Sequence, residues 1–145
     1  MKWKALIFAG LTWASLAGAA EPWEGTYRWD NKGQESQHGN VFQYVSLRVA
    51  IGADGKLVLS CGVFWKPGMD ADFGAVVEPS LVEQRTLEDG TTATVIPFTF
   101  EDSNENKGTG EVEIRGLFAT LKIVNTDIIF APAARQYGTY QLRKE

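Results

Sequence analysis

The chain is poor in the residues from which many catalytic and metal sites are built. Among 145 residues there is one cysteine, Cys61, and one histidine, His38. A lone cysteine excludes an internal disulfide and any multi-cysteine metal site, and a lone histidine excludes a two-histidine site. There is no basic surplus: 14 Lys and Arg stand against 18 Asp and Glu, a net charge of −4. Nothing is left over to neutralise phosphates, so nucleic acid is not an expected partner. Disorder is also excluded, because 44% hydrophobic and 22% charged residues is the balance of a folded chain, here the length of one domain.

No apolar run reaches the roughly 20 residues needed to cross a bilayer. The longest run, Ala5 to Leu16, follows Lys2 and Lys4 and precedes Ala17-Gly18-Ala19-Ala20. Charged start, short apolar stretch and small-residue end are the layout of a secretory signal peptide. The expected organisation is a Sec-type signal over 1–20 and one domain over 21–145. The expected destination is a bacterial periplasm, with the outer medium as the alternative. Leu16-Ala17-Gly18-Ala19 lacks the cysteine that would take a lipid, so no membrane anchor is expected. Removing Lys2 and Lys4 leaves 12 basic against 18 acidic residues, a net charge of −6.

What is abundant is alternation with period two, the mark of strands. Gly25, Tyr27 and Trp29 share one face. Val45, Leu47, Val49 and Ile51 share the next, and Leu57, Leu59, Cys61, Val63 and Trp65 the one after. Between them Asp54-Gly55 is a tight-turn signal, so 41–65 reads as a long hairpin. Lys66-Pro67-Gly68 is a turn, and a short strand is expected over 73–77. Residues 80–87 fit either a helix begun by the capping box Ser80-Leu81-Val82-Glu83 or a strand turning at Asp89-Gly90. The strand is preferred, since the following 91–101 is rich in threonine and aromatics. Thr94, Ile96, Phe98 and Phe100 share its face, and Pro97 marks it as an edge or bulged strand. Strands with Gly110, Val112 and Ile114, with Ala119, Leu121 and Ile123, and with Gly138, Tyr140 and Leu142 inward complete the set. About eight antiparallel strands at this spacing predict an all-β meander barrel or sandwich. Gly25-Thr26-Tyr27 is echoed by Gly138-Thr139-Tyr140, which suggests that the first and last strands are neighbours and close the sheet.

The opening Trp23-Glu24-Gly25-Thr26-Tyr27 resembles the aromatic-x-Gly-x-aromatic start of lipocalins and their calycin relatives. The resemblance covers those five residues and the strand number; the longer lipocalin motifs and the helix after the barrel are not visible. It implies a small barrel with one end plugged by this segment and a cavity for small apolar molecules.

The chemistry-bearing residues do not assemble a catalytic set. His38 lies in the polar stretch 31–40, and no Gly-x-Ser-x-Gly is present. Cys61, between Leu59 and Val63, is expected to be buried and inert, with an intermolecular disulfide as the alternative. Asp70 and Asp72 are the carboxylates that a hydrolase would use. Asp102, Asn104, Asn106 and Glu113 fall at calcium-loop spacing, but Lys107 stands where that loop needs glycine, so a hairpin turn is expected. No metal and no cofactor are expected.

The strongest functional signal is aromatic. Phe42, Tyr44 and Phe64 lie opposite the inward faces of their strands, so 41–65 is apolar on both sides and needs a second cover. The candidate ligand- or partner-binding residues are Trp29, Phe42, Tyr44, Phe64, Trp65, Asp70, Asp72 and Phe73. The expectation is an exported, non-enzymatic module, monomer or homodimer. It would capture a small apolar ligand, or bind and inhibit a basic protein through 31–40 and 66–74. The alternatives are a hydrolase using Asp70 and Asp72, and a structural subunit of an envelope complex.

Overall fold

Val45, Leu47 and Val49 on one strand and Leu57, Leu59, Cys61 and Val63 on the next are all at most 3% exposed, and they fix a hairpin of ten residue pairs. The computed structural model describes residues 21–30, 35–36, 39–40, 42–66, 69–134 and 137–145. Segment 1–20, His38 and the Pro67-Gly68 turn lie outside the described residues, as does most of 31–40. The strands are β1 (Gly25–Asp30), β2 (Glu35–Ser36), β3 (Gly39–Asn40), β4 (Phe42–Ile51), β5 (Leu57–Lys66), β6 (Met69–Val77) and β7 (Glu83–Thr86). They continue as β8 (Thr92–Asp102), β9 (Lys107–Arg115), β10 (Phe118–Asp127) and, after the short helix α1 (Ala131–Ala134), β11 (Thr139–Lys144).

Eight of these form one antiparallel ring, in the order β1-β4-β5-β6-β8-β9-β10-β11 and back to β1. The fold is therefore a closed meander barrel and not a sandwich. The first and last strands do meet, through Tyr27 opposite Lys144 and Arg28 opposite Arg143. Closure pairs edges that would otherwise invite another chain. The β2–β3 ladder stands apart from the ring.

Turn chemistry sets the corners. Gly55 and Gly90, each after an aspartate, adopt φ of 82° and 85°, a region that a side chain disfavours. Residues 80–87 resolve into a 3-10 turn, Pro79–Leu81, and then β7, so the strand reading holds and the helix reading does not. β7 pairs with Thr92–Val95 at the start of β8, whereas β6 pairs with Glu101 and Asp102 at its end. Pro97 sits in the stretch between, where that edge of β8 carries no ladder, so its missing N–H disrupts nothing there.

One boundary differs from expectation. β6 begins at Met69, so most of 66–74 is barrel wall and not loop. Its inward series is Ala71, Phe73, Ala75 and Val77, all at most 7% exposed. Two alanines and Gly74 weaken the apolar alternation that the strand obeys.

The barrel interior is filled by its own side chains. Tyr27, Leu47, Leu59, Ile96, Val112, Leu121 and Leu142 are 0–1% exposed and belong to one contiguous core. Each such residue contributes on the order of 2 kcal/mol by leaving water. At one end Trp23 packs on this core, and its carbonyl accepts the Tyr27 hydroxyl at 2.9 Å. Glu24 ties that segment down by accepting the Ile51 N–H at 3.0 Å. At the other end the Phe73 ring stacks on those of Phe98 and Phe100, 4.4 Å from the Phe100 centroid, and Tyr137 meets Phe73 and Phe100 edge-on.

Candidate binding face

The outward residues of β1, β4, β5 and β6 form rows across the wall. Asp30, Tyr44 and Phe64 are successive register partners. The next row is Arg28, Ser46, Gly62 and Asp72, and the third is Thr26, Arg48, Ser60 and Gly74. Period-two alternation makes this outer face the direct consequence of the inward Val45, Leu47 and Val49.

The Tyr44 and Phe64 rings in the first row and the small Ser46, Gly62, Ser60 and Gly74 in the next two leave an open groove of about 490 Å³. Tyr44, Ser46, Arg48, Ser60, Gly62, Asp72 and Gly74 line it, with Cys61 and Phe73 contributing to its floor. The wall of the groove is a stack. The Tyr44 and Phe64 rings lie 5.0 Å apart and 19° from parallel. The Arg28 guanidinium sits 4.2 Å from the Tyr44 centroid, and its Nε is 3.5 Å from the Asp30 carboxylate. A cation over a ring adds about 0.5–1 kcal/mol at an exposed site. So Tyr44 is packed between the Phe64 ring and the Arg28 guanidinium.

Across the floor stand two opposite charges. Arg48 and Asp72 are both exposed, and among the described residues neither has an ion-pair or side-chain hydrogen-bond partner. Beneath them Cys61 is 3% exposed, and burial, with the Asp72 charge adding to it, pushes its thiol up to about 12. A thiol so disfavoured as thiolate is a core residue and not a nucleophile.

Of the residues expected at a binding site, Tyr44, Phe64 and Asp72 come together here. Trp29 does not: it packs on the core with its ring 5.3 Å from that of Tyr140. Phe73 faces the interior at 6% exposure. For Phe42, Trp65 and Asp70 the strand register is described, opposite Lys66, Met69 and Phe64 respectively, and their side chains lie outside the described residues. The sequence reading missed Ser46, Arg48, Ser60, Gly62 and Gly74. The available signal was glycine at an outward position inside a strand, where strands usually avoid it.

The stretch with calcium-loop spacing is a β8–β9 hairpin turn. Asp102 Oδ1 accepts the N–H groups of Asn104 and Asn106, each at 2.8 Å. Asp102 Oδ2 accepts Asn106 Nδ2 at 3.0 Å and the Tyr137 hydroxyl at 2.6 Å. Among the described residues there is no cluster of three potential metal-ligating side chains of His, Cys, Asp or Glu. Compared with known protein families, curated proteins and solved structures, the chain matches none.

Proposed function

We propose that this is an exported, non-enzymatic binding module that recognises its ligand or partner on the outside of the barrel wall. The single observation that carries the reading is the contrast between a lumen occupied by core side chains and an open groove over β4, β5 and β6. Ligand sites carry a few convergent polar groups, and the shallow, open groove gathers Ser46, Arg48, Ser60 and Asp72 whereas the lumen is filled by core side chains. The architecture is that of a lipocalin-like barrel, but a small apolar ligand held in the lumen would have to displace residues such as Leu47, Leu59 and Leu121. The hydrolase alternative needs Asp70 and Asp72 to act as a pair, and the Asp70 side chain lies outside the described residues.

The test is site-specific photo-crosslinking in the exporting cell. A photoreactive residue replaces Ser60 in the groove or, as the control, the exposed Lys122 on the opposite wall. A discrete adduct from position 60 and none from 122, read by intact mass, supports the reading. Equal labelling at both positions, or none at 60, overturns it.

A further inference from the structure

Four of the strand glycines, those of β5, β6 and β9, divide into two kinds. Gly108 and Gly110 are required by packing, because a Cβ there would collide with the rings of Phe100 and Phe98 and with the carbonyls of Val124 and Lys122. Gly62 and Gly74 have no such reason. A Cβ on Gly62 would meet nothing within 4 Å, and one on Gly74 would meet only the Leu59 carbonyl at 3.7 Å, an ordinary contact. Neither has a positive φ. A glycine inside a strand marks a bulge, a bend of the barrel wall, or a place where another backbone or a ligand comes close, and the β4–β5 and β5–β6 registers run past Gly62 and Gly74 without a bulge.

The groove around them is charged at both margins. Arg48 on β4 and Asp72 on β6 are two strand spacings apart, about 10 Å, and offset by about 7 Å along the strands. The offset and spacing put their Cα atoms roughly 12 Å apart, and both side chains border the same groove. Between them on β5 stand Ser60 and Gly62, and Ser46 borders the groove on the strand of Arg48; both serine hydroxyls donate and accept. A ligand of one charge would satisfy one margin and be opposed at the other. A neutral sugar would need an open aromatic face, and the Tyr44 faces are covered by Arg28 and Phe64. Arg48 and Asp72 make no ion pair with each other, so a ligand carrying both charges has to span the gap between them.

We propose that the groove binds a short peptide with free termini, about three residues long at roughly 3.5 Å per residue. Its ammonium meets the Asp72 carboxylate, its carboxylate meets the Arg48 guanidinium in the two-pronged geometry that guanidinium favours, and its backbone crosses β5 over Gly62 and Ser60, with Gly74 at the edge of the groove. The serines bond its amides. This rests on the outer wall being the recognition face, and it names the ligand class for that face.

The test uses the exported protein and trialanine as the probe, followed by amide shifts in NMR and by calorimetry. Trialanine should move the amides of Ser60, Gly62 and Gly74, and acetylating its N-terminus or amidating its C-terminus should each weaken binding about tenfold or more. Asp72→Asn should erase the difference between free and acetylated peptide, and Arg48→Gln the difference between acid and amide. Gly62→Val should block binding while leaving the fold intact by circular dichroism. No response to trialanine at about 10 mM, indifference to blocked termini, or a response to chitotriose in its place would overturn the proposal. If the position-60 adduct forms and trialanine fails, the peptide assignment falls and the outer-face reading stands; if that adduct is absent, the outer-face reading falls.

Discussion

The Tyr137 hydroxyl donates to the Asp102 carboxylate at 2.6 Å although the two residues are 35 apart in the chain. The bond fastens the segment that enters β11 to the turn between β8 and β9. It also seats the Tyr137 ring edge-on to Phe100, 5.4 Å between centroids. One side chain thus joins the last part of the barrel to its far wall.

Tyr137→Phe should keep the ring contacts and lose the bond. The expected cost is about 1.5–3 kcal/mol, the range for a hydrogen bond to a charged group. Urea denaturation at neutral pH measures it, and an unchanged midpoint would show that the bond contributes nothing. Burial first, and then the bond to Asp102, raise the Tyr137 hydroxyl above its ordinary 10. The unfolded state therefore ionises first as pH rises, and the stability this group supplies is present below about pH 10 and lost above it. The phenylalanine variant should lose stability less steeply above pH 10 than the parent.

Cys61 supplies the same kind of test in an earlier window. Its thiol is pushed from 9.0 up to about 12, chiefly by burial. Stability held below pH 9 should fall as pH rises from 9 toward 12, by up to about 1.4 kcal/mol per pH unit for one proton. Cys61→Val should flatten the first part of that fall, between pH 9 and 10, when thermal midpoints are compared at closely spaced pH. Equal slopes in parent and variant would contradict the assignment of a buried, protonated thiol.

Glycines 110 and 62 should respond in opposite directions to the same substitution. Gly110→Ala forces a methyl group against the Phe98 ring and the Lys122 carbonyl, and overpacking of this kind costs about 1–3 kcal/mol or more. Gly62→Ala meets open space and should stabilise by about 0.5–1 kcal/mol, since alanine restricts the unfolded chain. Paired urea melts decide it; a loss at position 62 would mean that the open floor is needed for folding.

Asn106 is 0% exposed, and its amide serves three partners. Oδ1 accepts the N–H groups of Ile129 and Phe130 at 2.7 and 2.8 Å. Nδ2 donates to the Phe130 carbonyl at 3.1 Å and to Asp102. Asn106→Ala leaves several polar groups without partners, at about 1–3 kcal/mol each where they stay dry. Loss of cooperative thermal unfolding, or a fall of at least 3 kcal/mol by about that arithmetic, is the expected result.

Much of the wall was legible because period-two alternation is written locally. The inward triplets Val45-Leu47-Val49 and Ala119-Leu121-Ile123 are as the pattern has them, all at most 4% exposed. The echo of Gly25-Thr26-Tyr27 and Gly138-Thr139-Tyr140 pointed to adjacent end strands, and they are adjacent. The triplets themselves do not face each other: Tyr27 lies opposite Lys144, and Tyr140 opposite Leu121 on β10. The start of β6 was hidden, since Ala71 and Ala75 signal an inward face weakly. Asn106 read as a turn former, and nothing near it in the chain announces Phe130 as its partner.

Composition and alternation by themselves determined an all-β chain with a buried lone thiol and no two-histidine or disulfide site. These follow from counts and from which neighbours share a face, both local properties. Register and ring closure decided the rest. Gly62 stands beside Asp72, Ser60 beside Gly74, and Arg28 over Tyr44, because strands distant in sequence are aligned by pairings that each residue makes with another strand. The groove therefore exists only at the level of the closed wall. No single strand contains it, and a shift of one residue in the β4–β5 pairing would turn its floor inward.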